Sequence, residues 1–333
     1  MMLQNNTSIL QKTSSWFSSW WIKGVVAGGI VFLLIHFNRV NAAALTGLTQ
    51  TWPWLLAAFG LMLPPFIIVS YRFKITLMSQ GITVDFLQAT RWTMIGSFFD
   101  LAMPSSNGGD VIKAGFIIKH VGAGQRIRAV MAVAFDRVLG LLGLFLLASI
   151  VSLAGWKVLR NIPEQLPILL VSILASVGVL LCFRILGARR LYGNQKINTI
   201  LSNHVWGMRI KQLIGSFNSI REQPRYLISA LGLSVINHIF WCASLFCIAR
   251  SLGYDVNLIQ GFVVFPLAIF SNIFGIAGGF GFGTLGFDIL LSQLLKIENG
   301  ALIGLLFQSL SAVSRLAGLP FYLYTPHVSR YSK

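Results

Sequence analysis

A turn with the residue types of a phosphate site lies near position 107 of the chain. It runs Asn107-Gly108-Gly109-Asp110 and precedes a predicted helix that carries Lys113 one turn further on. Free backbone N–H groups at a helix start bind phosphate, and glycine permits the close approach of an anion. Asp110 opposes this chemistry with its own negative charge, and its alternative role is that of an N-cap. Lys113 is then expected either to hold the anion or to pair with Asp110.

A second break rich in glycine lies in the carboxyl-terminal half, at Gly278, Gly279, Gly281 and Gly283. Short apolar segments flank both breaks. Such interrupted segments are typical of re-entrant hairpins, whose irregular backbone must line a cavity or be buried in protein. Two alternatives stay open: a loop at the membrane surface for either break, and close helix packing through small residues for the glycines of the second.

Each break is followed by an apolar span with one arginine in the pattern R-x-x-G-L, namely Arg137 and Arg315. At 1.5 Å per residue, both are expected roughly 13–18 Å from the cytoplasmic boundary, close to the middle of the bilayer. An arginine at that depth costs at least about 2.5 kcal/mol, so it requires a polar partner or a polar cavity. Two roles stay open: binding an anionic headgroup, and an ion pair with a buried carboxylate. The carboxylates available for such a pair are Asp100, Asp110, Asp136 and Asp288. Asp136 is a poor partner for Arg137, because adjacent residues of a helix do not face each other.

The composition places these residues in a membrane protein. Of 333 residues, 55% are hydrophobic and only 11% are charged, and the mean hydropathy is +0.74. A soluble domain has about 25% charged residues, so the chain is neither an ordinary soluble protein nor a disordered one. The net charge of +17 would indicate nucleic acid in a soluble protein. Here basic cytoplasmic loops explain it, and no nucleic-acid partner is expected.

The apolar pattern predicts an all-α, polytopic transmembrane bundle of about six full spans plus two re-entrant broken-helix hairpins. The first span, at 24–37, is short enough to pass for a signal-peptide core, but the neighbouring tryptophans favour an interfacial anchor. The other spans are expected at 52–70, 129–154, 166–186, 226–249 and 300–324. Most Lys and Arg residues fall on one side, which places both termini and the loop 187–225 in the cytoplasm. That loop predicts a basic amphipathic helix, lying on the membrane or packed on the bundle.

The order of elements repeats along the chain, which predicts a single domain over 1–333 with halves at roughly 1–160 and 166–333. In the derived topology, the first arginine helix runs from inside to outside and the second from outside to inside. An inverted repeat of this kind is typical of transporters that bind their substrate near the middle of the membrane.

Four stretches, PSSNGGDVIKAGFIIKH, AVAFDRVLGLL, GGFGFGTLGF and AVSRLAGLP, resemble the lysylphosphatidylglycerol synthase transmembrane-region family, whose members are also called flippase-like proteins. The resemblance covers most of the chain. The family often has a glutamate shortly after the late glycines, whereas this chain has Thr284 there and Asp288 as the nearest acid. The resemblance implies translocation of a polar-headed lipid, anionic, aminoacylated or polyprenyl-linked, across the bacterial inner membrane.

The residue pattern and what the resemblance implies together give a set of candidate substrate-binding residues and no catalytic residue. The set is Asn107, Gly108, Gly109, Asp110, Lys113, Asp136, Arg137, Gly278, Gly279, Gly281, Thr284, Asp288 and Arg315. Histidines and cysteines do not occur at metal-ligand spacing, so no metal or cofactor is expected. Membrane lipids are the expected partners. Two alternatives stay open, a membrane glycosyl- or phospho-transferase that acts on a polyprenyl-phosphate lipid and a scaffold for a lipid-modifying enzyme.

Overall fold

The computed structural model describes residues 28–29, 32, 36, 47–103, 108–162, 164, 166–186, 215–220, 222–276 and 278–324. In this part of the chain the main regular elements are helices. They are α1 (Leu48–Leu61), α2 (Pro64–Ser79), α3 (Phe86–Ala102), α4 (Gly108–His120), α5 (Arg126–Ala154), α6 (Leu166–Leu186), α7 (Pro224–Ser251), α8 (Leu258–Ser271), α9 (Phe282–Leu294), α10 (Gly300–Leu316) and α11 (Gly318–Leu323).

Among the described residues, four apolar stretches are long enough to cross a bilayer, which confirms an all-α membrane bundle. They are Thr49–Ser79, Arg126–Ala154, Pro224–Ser251 and Gly300–Leu323. They coincide with four of the predicted spans, and α6 coincides with a fifth, although its described apolar part, Leu166–Leu181, is shorter. The predicted span at 24–37 lies almost wholly outside the described residues, as does the loop at 187–214. The cytoplasmic placement of the termini stays a prediction.

One boundary was predicted wrongly. The sequence predicts a span that ends at residue 70, two residues before Arg72. Helix α2 instead continues to Ser79, and Arg72 is only 5% exposed. The physical reason is an ion pair with Asp136 of α5, which allows the arginine to be buried inside the bundle.

The two broken regions form two helical hairpins, α3–α4 and α8–α9, and within each hairpin the two helices pack against one another. The longest of these four helices, α3, has 17 residues and spans about 25 Å. None of the four reaches the roughly 30 Å of a hydrocarbon core, as a re-entrant hairpin requires. The depth of the hairpins in the bilayer stays a prediction.

Helix α7 lies among helices from both parts of the bundle. It packs against α1, α2 and α5, and also against α8 and α10. One apolar core surrounds Phe265 and Phe287 of the second hairpin. Another surrounds Phe73 and Trp92 next to the first hairpin. Each hairpin is therefore fixed by its own core, and the space between them is left to polar residues.

Candidate functional site

A cavity of about 530 Å³ lies between the hairpins, and α2, α5, α7 and α10 complete its wall. Its charged lining consists of Arg72, Asp100, Asp110, Lys113, Asp136, Arg137 and Arg315. Much of the remaining wall is apolar or aromatic, with Phe66, Leu141, Trp241, Phe270 and Phe307 among its residues. Of the nine acids in the chain, three line this one cavity, so a third of the carboxylates of the chain surround one space.

The most deeply buried charges form a cluster around Asp136. Arg72 Nε lies 2.9 Å from Asp136 Oδ1, and Lys113 Nζ lies 3.5 Å from Asp136 Oδ2. Arg72 Nη1 also donates to Ser234 Oγ at 3.0 Å. Lys113 Nζ sits 3.3 Å from the centroid of the Phe73 ring, which adds a cation–π contact. All three charged side chains are at most 6% exposed, so this cluster ties α2, α4 and α5 together.

The second cluster joins Arg137 to the first hairpin. Its Nη2 lies 3.0 Å from Asp100 Oδ2, and its Nε donates to Asp110 Oδ2. The other oxygen of Asp100 accepts the backbone N–H of Gly109 at 2.9 Å. A methyl group at Gly109 would overlap the carbonyl group of Gly96, so only glycine allows α3 and α4 to approach this closely. The side chain of Arg137 remains 42% exposed and lines the cavity.

The second hairpin is held by neutral groups. Gln308 Nε2 of α10 donates to Asn272 Oδ1 at 2.9 Å and to the carbonyl of Gly279 at 3.0 Å. Gln308 Oε1 accepts the hydroxyl of Thr284 at 2.8 Å. The turn itself requires positive φ angles, +87° at Gly278 and +128° at Gly279, which only glycine adopts at little cost. The glycines therefore shape this turn, and an amide network fixes it.

Arg315 lies beside that turn. A Cβ atom on Gly278 would be 3.4 Å from Arg315 Nη1, and both residues line the cavity. Among the described residues, no carboxylate lies within ion-pair distance of this guanidinium group, and no hydrogen-bond acceptor contacts it. Arg315 is thus the cation of the cavity whose charge is not compensated by a carboxylate in direct contact.

The structure brings about half of the predicted residues into the cavity wall. Those that line it are Asp110, Lys113, Asp136, Arg137, Gly278 and Arg315. Those that shape the neighbouring turns without lining the cavity are Gly108, Gly109, Gly279, Gly281 and Thr284. Asn107 lies outside the described residues.

Asp288 does not reach the site. A Cβ atom on Gly300 would lie 3.0 Å from the Cα atom of Asp288, so Asp288 packs at the start of α10. Arg315 lies on the same helix fifteen residues after Gly300, which places it about 22 Å from that end of α10. The expectation that Asp288 is available as a counterion for Arg315 is therefore wrong.

The partners within the first hairpin also differ from those expected. Lys113 pairs with Asp136 rather than with Asp110. At the start of α4, the backbone N–H of Gly109 donates to Asp100 of α3 rather than to Asp110. As expected, Asp136 does not pair with its neighbour Arg137, because their side chains leave α5 in different directions.

Sequence reasoning missed several lining residues, including Arg72 and the adjacent pair Asn237 and His238 of α7. His238 Nε2 donates to the carbonyl oxygen of Gly140 at 3.0 Å. The available signal was the presence of two polar residues inside an apolar span, because polar residues in a membrane helix mark a functional interior. For Arg72, the apolar residues that continue after it were the signal that the helix does not end there.

The comparisons with known proteins agree with this architecture. The family model for the lysylphosphatidylglycerol synthase TM region matches residues 20–318, which is nearly the whole chain and includes both hairpins and the cavity. No match is found among curated proteins or among solved structures. The name of the family associates its members with the handling of lipids. The chain is a multi-pass membrane protein that belongs to the family of the lysylphosphatidylglycerol synthase transmembrane region.

Proposed function

We propose that this protein binds the polar headgroup of a membrane lipid in the central cavity and carries it between the leaflets of the bacterial inner membrane. The observation that carries the proposal is the two-sided wall of the cavity. Arg137 and Arg315 contribute charge, while Trp241, Phe270 and Phe307 contribute apolar surface. A lipid has the same two-sided character, since a charged headgroup is joined to hydrocarbon chains.

The energetic obstacle to lipid translocation is the loss of water around the headgroup. A charged group at the centre of a bilayer costs several kcal/mol unless polar groups surround it. The guanidinium groups of Arg137 and Arg315 replace that water for a phosphate, and arginine matches phosphate oxygens with two parallel donors. The hydrocarbon chains need no such help and remain in contact with lipid or with the apolar wall.

The hairpins support the same proposal. Irregular backbone inside a membrane is tolerated where it is buried in protein or lines a cavity, and transporters use broken helices of this kind at their binding sites. The glycine turn at Gly278 lines the cavity from one hairpin, and Asp100 and Asp110 line it from the other. Residues of both broken regions therefore contribute to the wall of one cavity.

The experiment is a translocation assay in vesicles that contain the purified protein. Lipids labelled on an acyl chain, including phosphatidylglycerol and lysylphosphatidylglycerol, are quenched from outside, so that the quenched fraction reports movement between leaflets. We expect faster exchange of at least one lipid than in protein-free vesicles, and loss of that exchange when Arg137 and Arg315 are both changed to alanine. Arg250→Ala is the control, because Arg250 lies outside the cavity in an exposed pair with Asp255. Exchange of no lipid, or equal exchange in the double variant, contradicts the proposal.

A further inference from the structure

The charges of the cavity do not balance. The described residues that line it contribute four cations, Arg72, Lys113, Arg137 and Arg315, and three carboxylates, Asp100, Asp110 and Asp136. His238 is counted as uncharged. One positive charge therefore remains without a compensating negative charge.

The excess charge can be assigned to one residue. Both oxygens of Asp136 contact cations, and Asp100 and Asp110 both contact Arg137. Arg315 is the cation that no carboxylate of the described chain contacts. Its place beside the backbone of Gly278 leaves the guanidinium group next to the cavity. A ligand that restores neutrality has one negative charge and places it at Arg315.

We infer that the lipid bound in this cavity is a phosphodiester with a single negative charge and an uncharged polar headgroup, and that Arg315 binds its phosphate. Phosphatidylglycerol has this chemistry. A zwitterionic headgroup such as ethanolamine brings no net charge and leaves the cavity positive. A lysylated headgroup brings a net positive charge and increases the imbalance. The inference rests on the proposed function, since it specifies the lipid that the same cavity takes.

The apolar wall distinguishes a lipid from a free anion. Trp241, Phe270 and Phe307 occupy the cavity wall together with the charges. Inorganic phosphate makes contact only with the charges, whereas a phospholipid also covers the apolar surface. We therefore expect inorganic phosphate to be a poor competitor of the lipid.

The test is binding of short-chain lipids to the purified full-length protein in detergent, measured by native mass spectrometry with phosphatidylglycerol, phosphatidylethanolamine and lysylphosphatidylglycerol in competition. Phosphatidylglycerol is expected to be preferred. Arg315→Gln is expected to lower its affinity about tenfold or more, because hydrogen bonds to a charged group are lost, and to remove most of its preference over phosphatidylethanolamine. Arg250→Gln removes the same charge outside the cavity and serves as the matched control.

Two further variants keep the test decisive if Arg315→Gln folds poorly. Ser311 lines the cavity one helical turn before Arg315, so Ser311→Asp supplies a carboxylate to the intact arginine and is expected to abolish the preference for phosphatidylglycerol. Asp110→Asn adds a second uncompensated charge and is expected to shift the preference towards phosphatidic acid, whose headgroup carries more negative charge. Asp255→Asn is the control for Asp110→Asn, because it removes a carboxylate outside the cavity.

The results that overturn the inference are specific. They are equal binding of the three lipids, preference for the lysylated lipid, absence of lipid binding, or a preference that Arg250→Gln removes and Arg315→Gln does not. Displacement of the lipid by inorganic phosphate at equal concentration overturns the assignment to a lipid. The translocation assay separates the two proposals. Selective binding without translocation contradicts only the proposed function, and translocation that ignores headgroup charge contradicts only the inference.

Discussion

The two hairpins share a plan but are fixed by different chemistry. In the first, Asp100 and Asp110 hold Arg137 of the following long helix. In the second, the corresponding helix supplies Gln308 to an amide network, and its arginine, Arg315, is left without a carboxylate in the described chain. Arg137 is therefore compensated by carboxylates of its hairpin although it lines the cavity, while Arg315 lines the cavity with no carboxylate of the described chain in contact.

The difference shows how a repeated architecture acquires a binding site. If both hairpins carried carboxylates, every cation of the cavity would be neutralised internally and no anion would be attracted. A neutral Asn272 stands near the end of α8, as Asp100 stands near the end of α3, and both line the cavity. The absence of negative charge at that one position of the second hairpin leaves the cavity with its excess positive charge.

The largest effect on stability is expected from a change of Asp136, which is the centre of the buried charge cluster with Arg72 and Lys113. Asp136→Ala leaves Arg72 and Lys113 buried without a counterion, and removing one partner of a buried pair costs about 3–5 kcal/mol. We expect a correspondingly lower thermal unfolding temperature in detergent. Asp255→Ala is the control, because Asp255 is 89% exposed and pairs only at the surface, where a pair contributes about 0–1 kcal/mol. Similar losses in both variants would show that the cluster does not stabilise the fold.

The second comparison is between the two arginines. Arg137→Ala removes contacts with two carboxylates and is expected to lower the free energy of unfolding by about 3 kcal/mol. The loss is smaller than for Asp136 because Arg137 is 42% exposed. Arg315→Ala is expected to cost less than about 1 kcal/mol, since no ion pair is broken. Equal destabilisation of the two variants in chemical unfolding would contradict the division of roles.

A third prediction concerns the neutral network. Gln308→Leu leaves Asn272, Thr284 and the carbonyl of Gly279 without their amide partner, which costs about 2 kcal/mol. Hydrogen exchange at the glycine turn is expected to increase, while exchange in the first hairpin stays unchanged. Gln293→Leu, at an exposed position of α9, is the control. An unchanged turn would mean that the glycines alone hold its shape.

The smallest effect on stability is expected when a carboxylate is introduced into the second hairpin. The same change is expected to have a clear effect on lipid binding. Asn272→Asp keeps the acceptor for Gln308 and is expected to change stability by less than about 1 kcal/mol. It neutralises the excess charge of the cavity, so binding of an anionic lipid in the mass-spectrometric assay should fall. Asn161→Asp, at an exposed position, should leave binding intact. Undiminished binding in Asn272→Asp would contradict the role given to the neutral hairpin.

The sequence by itself determined the class of the protein and the position of its breaks. Hydrophobic composition and the length of the apolar runs are sufficient for the membrane bundle, because a bilayer requires a minimum helix length. Glycine clusters and an arginine within an apolar span identified both hairpins and both arginines. These are local features, and each can be recognised without knowing what lies opposite in the fold.

Only the tertiary structure decided which charges meet. Arg72 and Asp136 are 64 residues apart in sequence, and although helix geometry argues against pairing Asp136 with Arg137, nothing in the local pattern selects Arg72 as its partner. Asp288 was an available carboxylate by sequence but lies at the far end of α10 from Arg315. The charge balance of the cavity depends on these distances, because an ion pair forms only where two helices bring opposite charges within a few ångströms. For that reason the sequence predicted the arginines, and the packing of the helices showed which of them is left for a ligand.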